Sequence, residues 1–386
     1  MKKVKVLHLC SGIVFAKRFV LPMTQHLQKN PRLTVELWVE KDKNSVLFTK
    51  KDSIIYTDLQ WALSYQIFSI QKILSLFKAL KEFKPDILHA HTTRASLVPL
   101  LLAKILKIPV RIYHNHGFPY LGYTGISRFF LRLIEKINIS LSTHCIGVSI
   151  HNVQAAQEDG LTEWEKKGSI IANGSTAGID LEEEFNSEKF NDNTKEKARL
   201  EYHIPNHAYV IAYIGRPHRR KGFHFLLKTW EESLLWKQSE NFLFIAGCSL
   251  DECYKIIPST VGNIIAYPYI KNMPLFFNAC DIVVLPSFHE GLSYALLEAA
   301  AAYKACVAFN IVGNQSVIDH EKTGYLTPPG NKEAFIKVCL DLKKNIPLRT
   351  DLGKNARKKV ESHFDRKKYL TTFNAYYKKL ILGIAG

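Results

Sequence analysis

The segment DIVVLPSFHEGLSYALLEA (Asp281–Ala299) decides the reading of this chain. Asp281–Leu285 is a short apolar run that reads as a buried strand, Pro286 to Leu292 a loop, and the residues from Tyr294 a helix with Ser293 at its N-cap position. A strand that runs through a short loop into a helix aims free backbone N–H groups and the positive end of the helix dipole at whatever lies beyond the strand's carboxyl end, which suits an anion. Gly291 leaves the approach open. Glu290 precedes the helix. Glu298 lies inside it among Leu297, Ala299 and Ala300, where a carboxylate needs a partner such as a ligand hydroxyl, unless it is simply an exposed helix residue.

About 70 residues upstream, the apolar strand Tyr209–Ile214 ends in GRPHRRKG (Gly215–Gly222), with four cations within six residues between two glycines. Arginine forks and a lysine point charge at a strand end suit a diphosphate; a solvated basic loop is the plainer alternative. Further strands are expected at Phe242–Ala246, Ile264–Ala266 and Cys306–Phe309, with a helix at Phe223–Trp236. The first half shows the same alternation. Strands are expected at Lys3–Cys10, Leu33–Val39, Ile87–Ala90, Val110–Tyr113 and Cys145–Val148, and helices at Ile70–Phe83, Ala95–Leu106 and Ser127–Ile137. Near-continuous apolar strands alternating with helices predict parallel sheets covered on both faces. The polar stretch Leu181–His207 reads as a linker with a short surface helix. A last helix, about Lys367–Leu382, carries Tyr369, Phe373, Tyr376, Tyr377 and Leu380 and must pack on something.

The 386 residues suit about two domains, and 47% hydrophobic against 23% charged residues is a globular composition. Net charge is +17, with 24 Lys and Arg against 13 acidic residues in 1–180 and 28 against 22 in the remainder. Such a field favours anionic partners, although lysine-rich composition alone produces it too. Nucleic acid is not expected, because no recognition module or aromatic-studded basic stripe is present. Seven cysteines without a CxxC pair fit reduced, buried thiols and hence the cytoplasm. The start MKKVKVLHLC reads as a strand rather than a secretory leader, and no apolar run is long enough to span a bilayer. The expected location is cytoplasmic, with attachment to the inner face of the cell membrane as an open alternative.

The pair Glu290-x7-Glu298, the GRPHRRKG loop and the tail GNQSVIDHEKTGYLTPPGN (Gly313–Asn331), in this order and spacing, resemble the family-4 retaining glycosyltransferases of the GT-B superfamily. The resemblance covers nearly the whole second half. It extends to NGSTAGID (Asn173–Asp180), similar to the segment before the interdomain linker in enzymes of bacterial surface and lipid-linked glycans. It implies an α/β fold of two Rossmann-like, doubly wound parallel-sheet domains facing across a cleft: an acceptor-side domain 1–184, a donor-side domain 185–366, and a terminal helix 367–386 that can cross back to the first domain.

The resemblance also implies roles. Arg216 and Lys221 hold the donor diphosphate and neutralise the leaving group. Glu298 binds the donor ribose, and Glu290 faces the transferred sugar. The N–H groups of Leu292 and Ser293, beside Gly291, cap a phosphate, and Tyr267 lies along the base. His116, within His114-Asn115-His116-Gly117, contacts sugar and phosphate, with His114 as its structural neighbour and His89 and His91 as poorer candidates. Gly12 lies by the donor phosphate, although Ser11-Gly12-Ile13 departs from the family's double glycine. Lys17 and Arg18 either meet an anionic acceptor or are surface charges. The donor is expected to be a UDP-sugar carrying an N-acetylhexosamine, and the acceptor a glycan or a lipid-linked phosphate at an anionic membrane. No D-x-D carboxylate pair occurs, so neither a metal nor a cofactor is expected. The competing readings are a nucleotide-sugar 2-epimerase on the same fold and a non-catalytic or nucleic-acid-binding basic protein.

Overall fold

The computed structural model describes residues 3–40, 55–57 and 70–385. It divides into two compact units: Met1–Gly178 together with Arg366–Gly386, and Ile179–Asp365.

The first unit holds a seven-stranded sheet of β1 (Val4–Ser11), β2 (Leu33–Glu40), β3 (Ile55–Thr57), β4 (Ile87–His91), β5 (Val110–Asn115), β6 (His144–Gly147) and β7 (Gly168–Ile170). Its order is β3-β2-β1-β4-β5-β6-β7 and every pairing is parallel. Odd and even positions of these strands serve two different cores. Leu7, Leu9, Leu88, Ala90 and Tyr113 pack under the helices Ile70–Phe83 and Thr93–Ile105. Val6, Cys10, Ile87, Val110 and Ile112 face Leu21–Gln28 and the terminal helix.

That terminal helix, Arg366–Ala385, belongs to the first unit although the whole second unit precedes it in the chain. Tyr369, Phe373, Tyr377 and Leu380, at helical spacing, are buried against β1, β4 and Leu21–Gln28.

The second unit carries β8 (Tyr209–Ile214), β9 (Asn241–Ala246), β10 (Ile264–Tyr267), β11 (Ile282–Leu285), β12 (Ala305–Phe309) and β13 (Gly324–Thr327). They are parallel in the order β10-β9-β8-β11-β12-β13, so the strand order reverses between β8 and β11. That reversal is where open α/β sheets leave a crevice for a ligand.

The unit boundary falls at Gly178, ahead of the expected residue 184, and the polar stretch after it does more than link. Ile179, Phe185, Tyr202 and Ile204 enter the second core. Arg199, buried in the helix Asp192–Glu201, donates to Asp281 Oδ2 at 2.8 Å. Burial alone would raise the Asp281 carboxyl, but Lys195, Arg199 and Arg349 together hold it below the ordinary value. The two ends of this unit meet, with Ile179 N donating to Phe364 O at 2.7 Å. Charge density in the sequence concealed these anchors, because the buried residues are spaced among exposed acids.

Truncating Phe373, which is fully buried, should cost the first unit about 3–5 kcal/mol as Phe373→Ala. Urea unfolding of the full chain should then show an early transition in the first unit while the second keeps its midpoint.

Candidate functional site

In the second unit both motif loops leave the carboxyl ends of β8 and β11, the two strands that flank the order reversal. They are fastened together. Phe288 N donates to Arg220 O at 2.8 Å, Tyr213 Oη to Lys221 O at 3.1 Å and Ser287 Oγ to the same oxygen at 3.4 Å. Gly222 sits at φ +71° with its Cα against the Pro286 carbonyl, so a Cβ there would overlap backbone. Lys221 Nζ lies 2.7 and 2.8 Å from the two carboxylate oxygens of Glu290. Arg216 stays exposed at the rim. Burial, then the charges of Arg220 and Lys221, push the His289 imidazole down to about 4, so it is neutral.

The helix Tyr294–Ala301 starts at Ser293, whose hydroxyl makes no cap to this helix. It donates instead to Asn314 Oδ1, and Asn314 Nδ2 donates to Phe309 O at 2.8 Å. Ser293 holds the expected N-cap position, but its side chain does not take the first N–H groups of the helix. Gly313 packs on the Glu290 backbone so closely that a Cβ would collide with the Glu290 carbonyl. Glu298 is 4% exposed, which removes the reading of an ordinary exposed helix residue. Tyr267 ends β10 with its ring edge-on to Tyr202 at 5.6 Å, so the side chain is committed to packing.

In the first unit, β1 ends at Ser11 and Gly12, at φ +82°, opens the short helix Ile13–Phe15. Lys17 and Arg18 lie in the π-helical turn Ala16–Val20 that follows. The ring of Phe15 stands edge-on to His116 at 4.7 Å.

His116 is one member of a row. His8 on β1, His89 and His91 on β4, and His114 with His116 at the end of β5 project from one face, because His8 pairs in register with His89 and His91 with His114. Their nitrogens form an unbroken line of hydrogen bonds. His116 Nδ1 meets Thr176 Oγ1 at 3.2 Å, and His116 Nε2 meets His91 Nδ1 at 3.1 Å. His91 Nε2 meets His8 Nδ1 at 3.0 Å, and His8 Nε2 meets Tyr377 Oη at 3.2 Å. Tyr377 Oη then meets His89 Nδ1 at 2.7 Å, and His89 Nε2 meets His114 Nδ1 at 3.2 Å. Burial, the largest cause, and mutual repulsion push His8 down to about 3; burial alone takes His114 to about 3; His89, His91 and His116 are held well below the ordinary range. All five rings are neutral, and a neutral ring can donate once and accept once; the line stops at His114, whose buried Nε2 has no hydrogen-bond partner.

The loop bearing His116 has a second support. Glu135 accepts from Thr93 Oγ1 at 2.6 Å, Tyr113 Oη at 2.7 Å and Asn115 Nδ2 at 3.1 Å, while Asn115 Oδ1 accepts from Gly117 N at 2.8 Å. Burial raises the Glu135 carboxyl to about 7 against the pull of these three donors. Thr92, next to His91, and Ser175, next to Thr176, hold positive φ of 68° and 89°, a strain that surrounding contacts must hold in place.

Two family descriptions match this chain: "Glycosyltransferase Family 4" over residues 18–175 and "Glycosyl transferases group 1" over residues 194–359. The chain belongs to the family-4 glycosyltransferases. The capsular polysaccharide biosynthesis glycosyltransferase CapM of Staphylococcus aureus is 28% identical over 83% of this transferase and 80% of its own length. The UDP-Gal:alpha-D-GlcNAc-diphosphoundecaprenol alpha-1,3-galactosyltransferase of Escherichia coli is 25% identical over 77% and 76%. Anabaena HepE, solved with UDP and glucose, superposes with a TM-score of 0.77 at 16% identity over 97% of this transferase and 100% of that chain. The fold is GT-B.

Sequence reasoning singled out His116 but passed over most of what holds it in this transferase. His8 was missed, His89 and His91 were ranked low, and Tyr377, Glu135, Asn115 and Asn314 went unassigned. The available signal was histidine at alternate positions of three strands that a doubly wound order makes neighbours. The same rings form two triads, His8/His89/His91 and His91/His114/His116, with ligand atoms within 4.8 Å of one another. Among the described residues these are the groups that could hold a metal ion. Neither includes a carboxylate, and an ion would have to break the hydrogen-bonded line.

The buried Tyr377 hydroxyl has a proton to place, and His8 and His89 are the rings beside it; donating to one and accepting from the other, it gives all five rings one tautomer, all Nε2–H or all Nδ1–H. Nitrogen-15 NMR of the imidazoles should show one pattern for all five. Tyr377→Phe should uncouple His89 and His114 from the other three. The sign of the pH response follows from the lowered values. Below the unfolded-chain value of about 6.5, the unfolded state binds protons that the folded row refuses, so stability is full above that pH and falls below it. Each ring then removes about 1.4 kcal/mol per pH unit, and Glu135, raised to about 7, offsets only one of them. Urea midpoints between about pH 7.5 and pH 5 should fall accordingly.

Proposed function

We propose that this glycosyltransferase moves a sugar from UDP to a lipid-linked or glycan acceptor in bacterial surface-polysaccharide synthesis, with retained anomeric configuration and without a metal. The observation that carries the reading is the fastened pair of loops at the ends of β8 and β11, where Arg216, Lys221, Glu290 and the start of the helix Tyr294–Ala301 converge on one sheet edge. Cations and backbone N–H groups there supply the charge neutralisation that a departing diphosphate requires. The names of the Staphylococcus and Escherichia relatives support the polysaccharide and lipid-linked acceptor, and the Escherichia name and the Anabaena complex support UDP. The sugar itself is proposed to be an N-acetylhexosamine.

In this mechanism Lys221, held by Glu290, and Arg216 bind the diphosphate. The N–H groups of Leu292 and Ser293 beside Gly291 take a phosphate oxygen, Glu298 the ribose, and the backbone near Tyr267 the base. Gly12 and neutral His116 contact phosphate and sugar, and Lys17 and Arg18 the acceptor. The bond from the anomeric carbon to the phosphate oxygen breaks as the acceptor hydroxyl attacks from the same face. The hydroxyl proton passes to the departing phosphate oxygen. The absence of a D-x-D pair from the sequence, beside this cationic loop, supports charge neutralisation by protein groups.

Calorimetry with UDP in the presence of EDTA should show binding that Arg216→Ala weakens about ten- to a hundredfold. Lys221→Ala should lower transfer about a hundred- to a thousandfold. An enzyme that binds no nucleotide removes the reading, and transfer abolished by EDTA removes metal independence.

A further inference from the structure

Strand β9 leaves its sheet through Gly247 and Cys248 and turns at once into the short helix Leu250–Tyr254. Ser249 caps that helix. Its hydroxyl accepts from Glu252 N at 3.2 Å, and Glu252 Oε2 accepts from Ser249 N at 2.8 Å. Such a reciprocal box is often closed by two apolar side chains, one just before the cap and one at the fourth helical position. Here those positions are Cys248 and Cys253, both buried, with their Sγ atoms 3.7 Å apart. Buried thiols fill such a staple as small apolar groups. A pair of them can also form a bond, which an aliphatic pair cannot. Of the seven cysteines, this is the pair in contact among the described residues.

The two thiols are not equivalent. The hydrogen bond from Cys248 holds the Cys253 thiol below its ordinary range, against burial and the Glu252 carboxylate, and the same bond raises Cys248. The thiolate that begins an oxidation therefore develops on Cys253, with Cys248 placed to resolve it. Burial calls for a small oxidant. The helix that carries Cys253 has five residues, with Asp251 exposed, so a local opening suffices to admit one.

The exit of β9 also touches the cationic loop. Gly247, at φ +116°, rests so closely on the Gly215 carbonyl that a Cβ would overlap it. Gly215 N donates to Ala246 O at 3.0 Å, and Arg216 follows Gly215. A sulfur–sulfur bond is about 2 Å long. Closing the pair would draw Cys248 toward Leu250–Tyr254 and shift Gly247 against Gly215.

We propose that Cys248 and Cys253 are a dithiol that hydrogen peroxide closes to a disulfide, and that closure weakens nucleotide binding at the loop after β8. The Cys253 thiolate attacks one peroxide oxygen. An S–O bond forms, the O–O bond breaks, and the other oxygen leaves as hydroxide, which takes up the proton that Cys253 released. Cys248 Sγ then attacks the sulfenic sulfur, and its proton departs with the hydroxyl as a second water. The two sulfurs lose two electrons and the peroxide gains them. A dithiol reductant reverses the closure by exchange. The dithiol stands apart from the proposed function, whereas its effect on binding rests on the nucleotide site proposed there.

The test treats the reduced full chain with hydrogen peroxide, labels the remaining thiols with iodoacetamide after denaturation, and digests with trypsin. Residues 238–255 form one tryptic peptide that holds both thiols and no other cysteine. That peptide should lose two hydrogens and take no label while the other five cysteines are labelled, and dithiothreitol should restore its labelling. UDP calorimetry in EDTA should show binding about tenfold weaker after oxidation, recovered on reduction. Cys253→Ser should bind UDP like the reduced wild type both before and after peroxide, with Cys248→Ala in its place if the serine variant does not fold. A peptide that stays labelled, that gains oxygen instead of losing hydrogen, or that is linked to a second chain overturns the dithiol. An oxidised chain with unchanged UDP affinity, or an equal loss in the variant, overturns its link to the loop. A reduced chain that binds no nucleotide removes the transferase reading and that link with it, while the peptide mass still decides the dithiol.

Discussion

The grip between the loop after β8 and the loop after β11 is the constraint on which the second unit's site depends. Two backbone groups of one loop, Arg220 O and Lys221 O, accept from Phe288, Ser287 and Tyr213, and Gly222 admits Pro286 where any side chain would not fit. Across these fastened loops Lys221 and Glu290 meet. Glu290 is fixed from its other side by Gly313. The ammonium group that would meet a diphosphate is thereby held on a short tether rather than left to swing from the rim, so less rotamer entropy would be lost on binding.

The first unit solves the same positioning problem with neutral groups. His116 is held through a line of imidazoles that passes through Tyr377, a residue 261 positions further along the chain, and its loop is braced by Glu135. Desolvation keeps every ring uncharged, so the row orients without placing a cation beside the loop.

The doubly wound sheets were legible in the sequence because parallel strands buried on both faces leave continuous apolar runs, as in Ile282–Leu285 and Tyr209–Ile214. The cationic loop and the two glutamates were legible because glycine and paired charges at strand ends have few structural uses. The histidine row was not, since its members lie on three separated segments and only strand order makes them neighbours. Asn314 and Asn115 were hidden for a related reason: an asparagine that bonds a buried hydroxyl looks in sequence like any loop asparagine. Residues 181–207 misled because exposed acids outnumber the few side chains that anchor them.

The route of the chain through its two units bears on how the protein is made. A ribosome releases residues in order, and the second unit, Ile179–Asp365, is a single uninterrupted stretch. The first unit is interrupted. Tyr369, Phe373 and Tyr377, which fill one side of its sheet, are translated after the whole second unit. The nascent first unit must therefore wait, with β1 and β4 uncovered on that side, until the terminal helix clears the exit tunnel, while the second unit can close before it. Order of synthesis and order of completion are reversed, and termination within Arg366–Ala385 would leave a finished second unit attached to an unfinished first one.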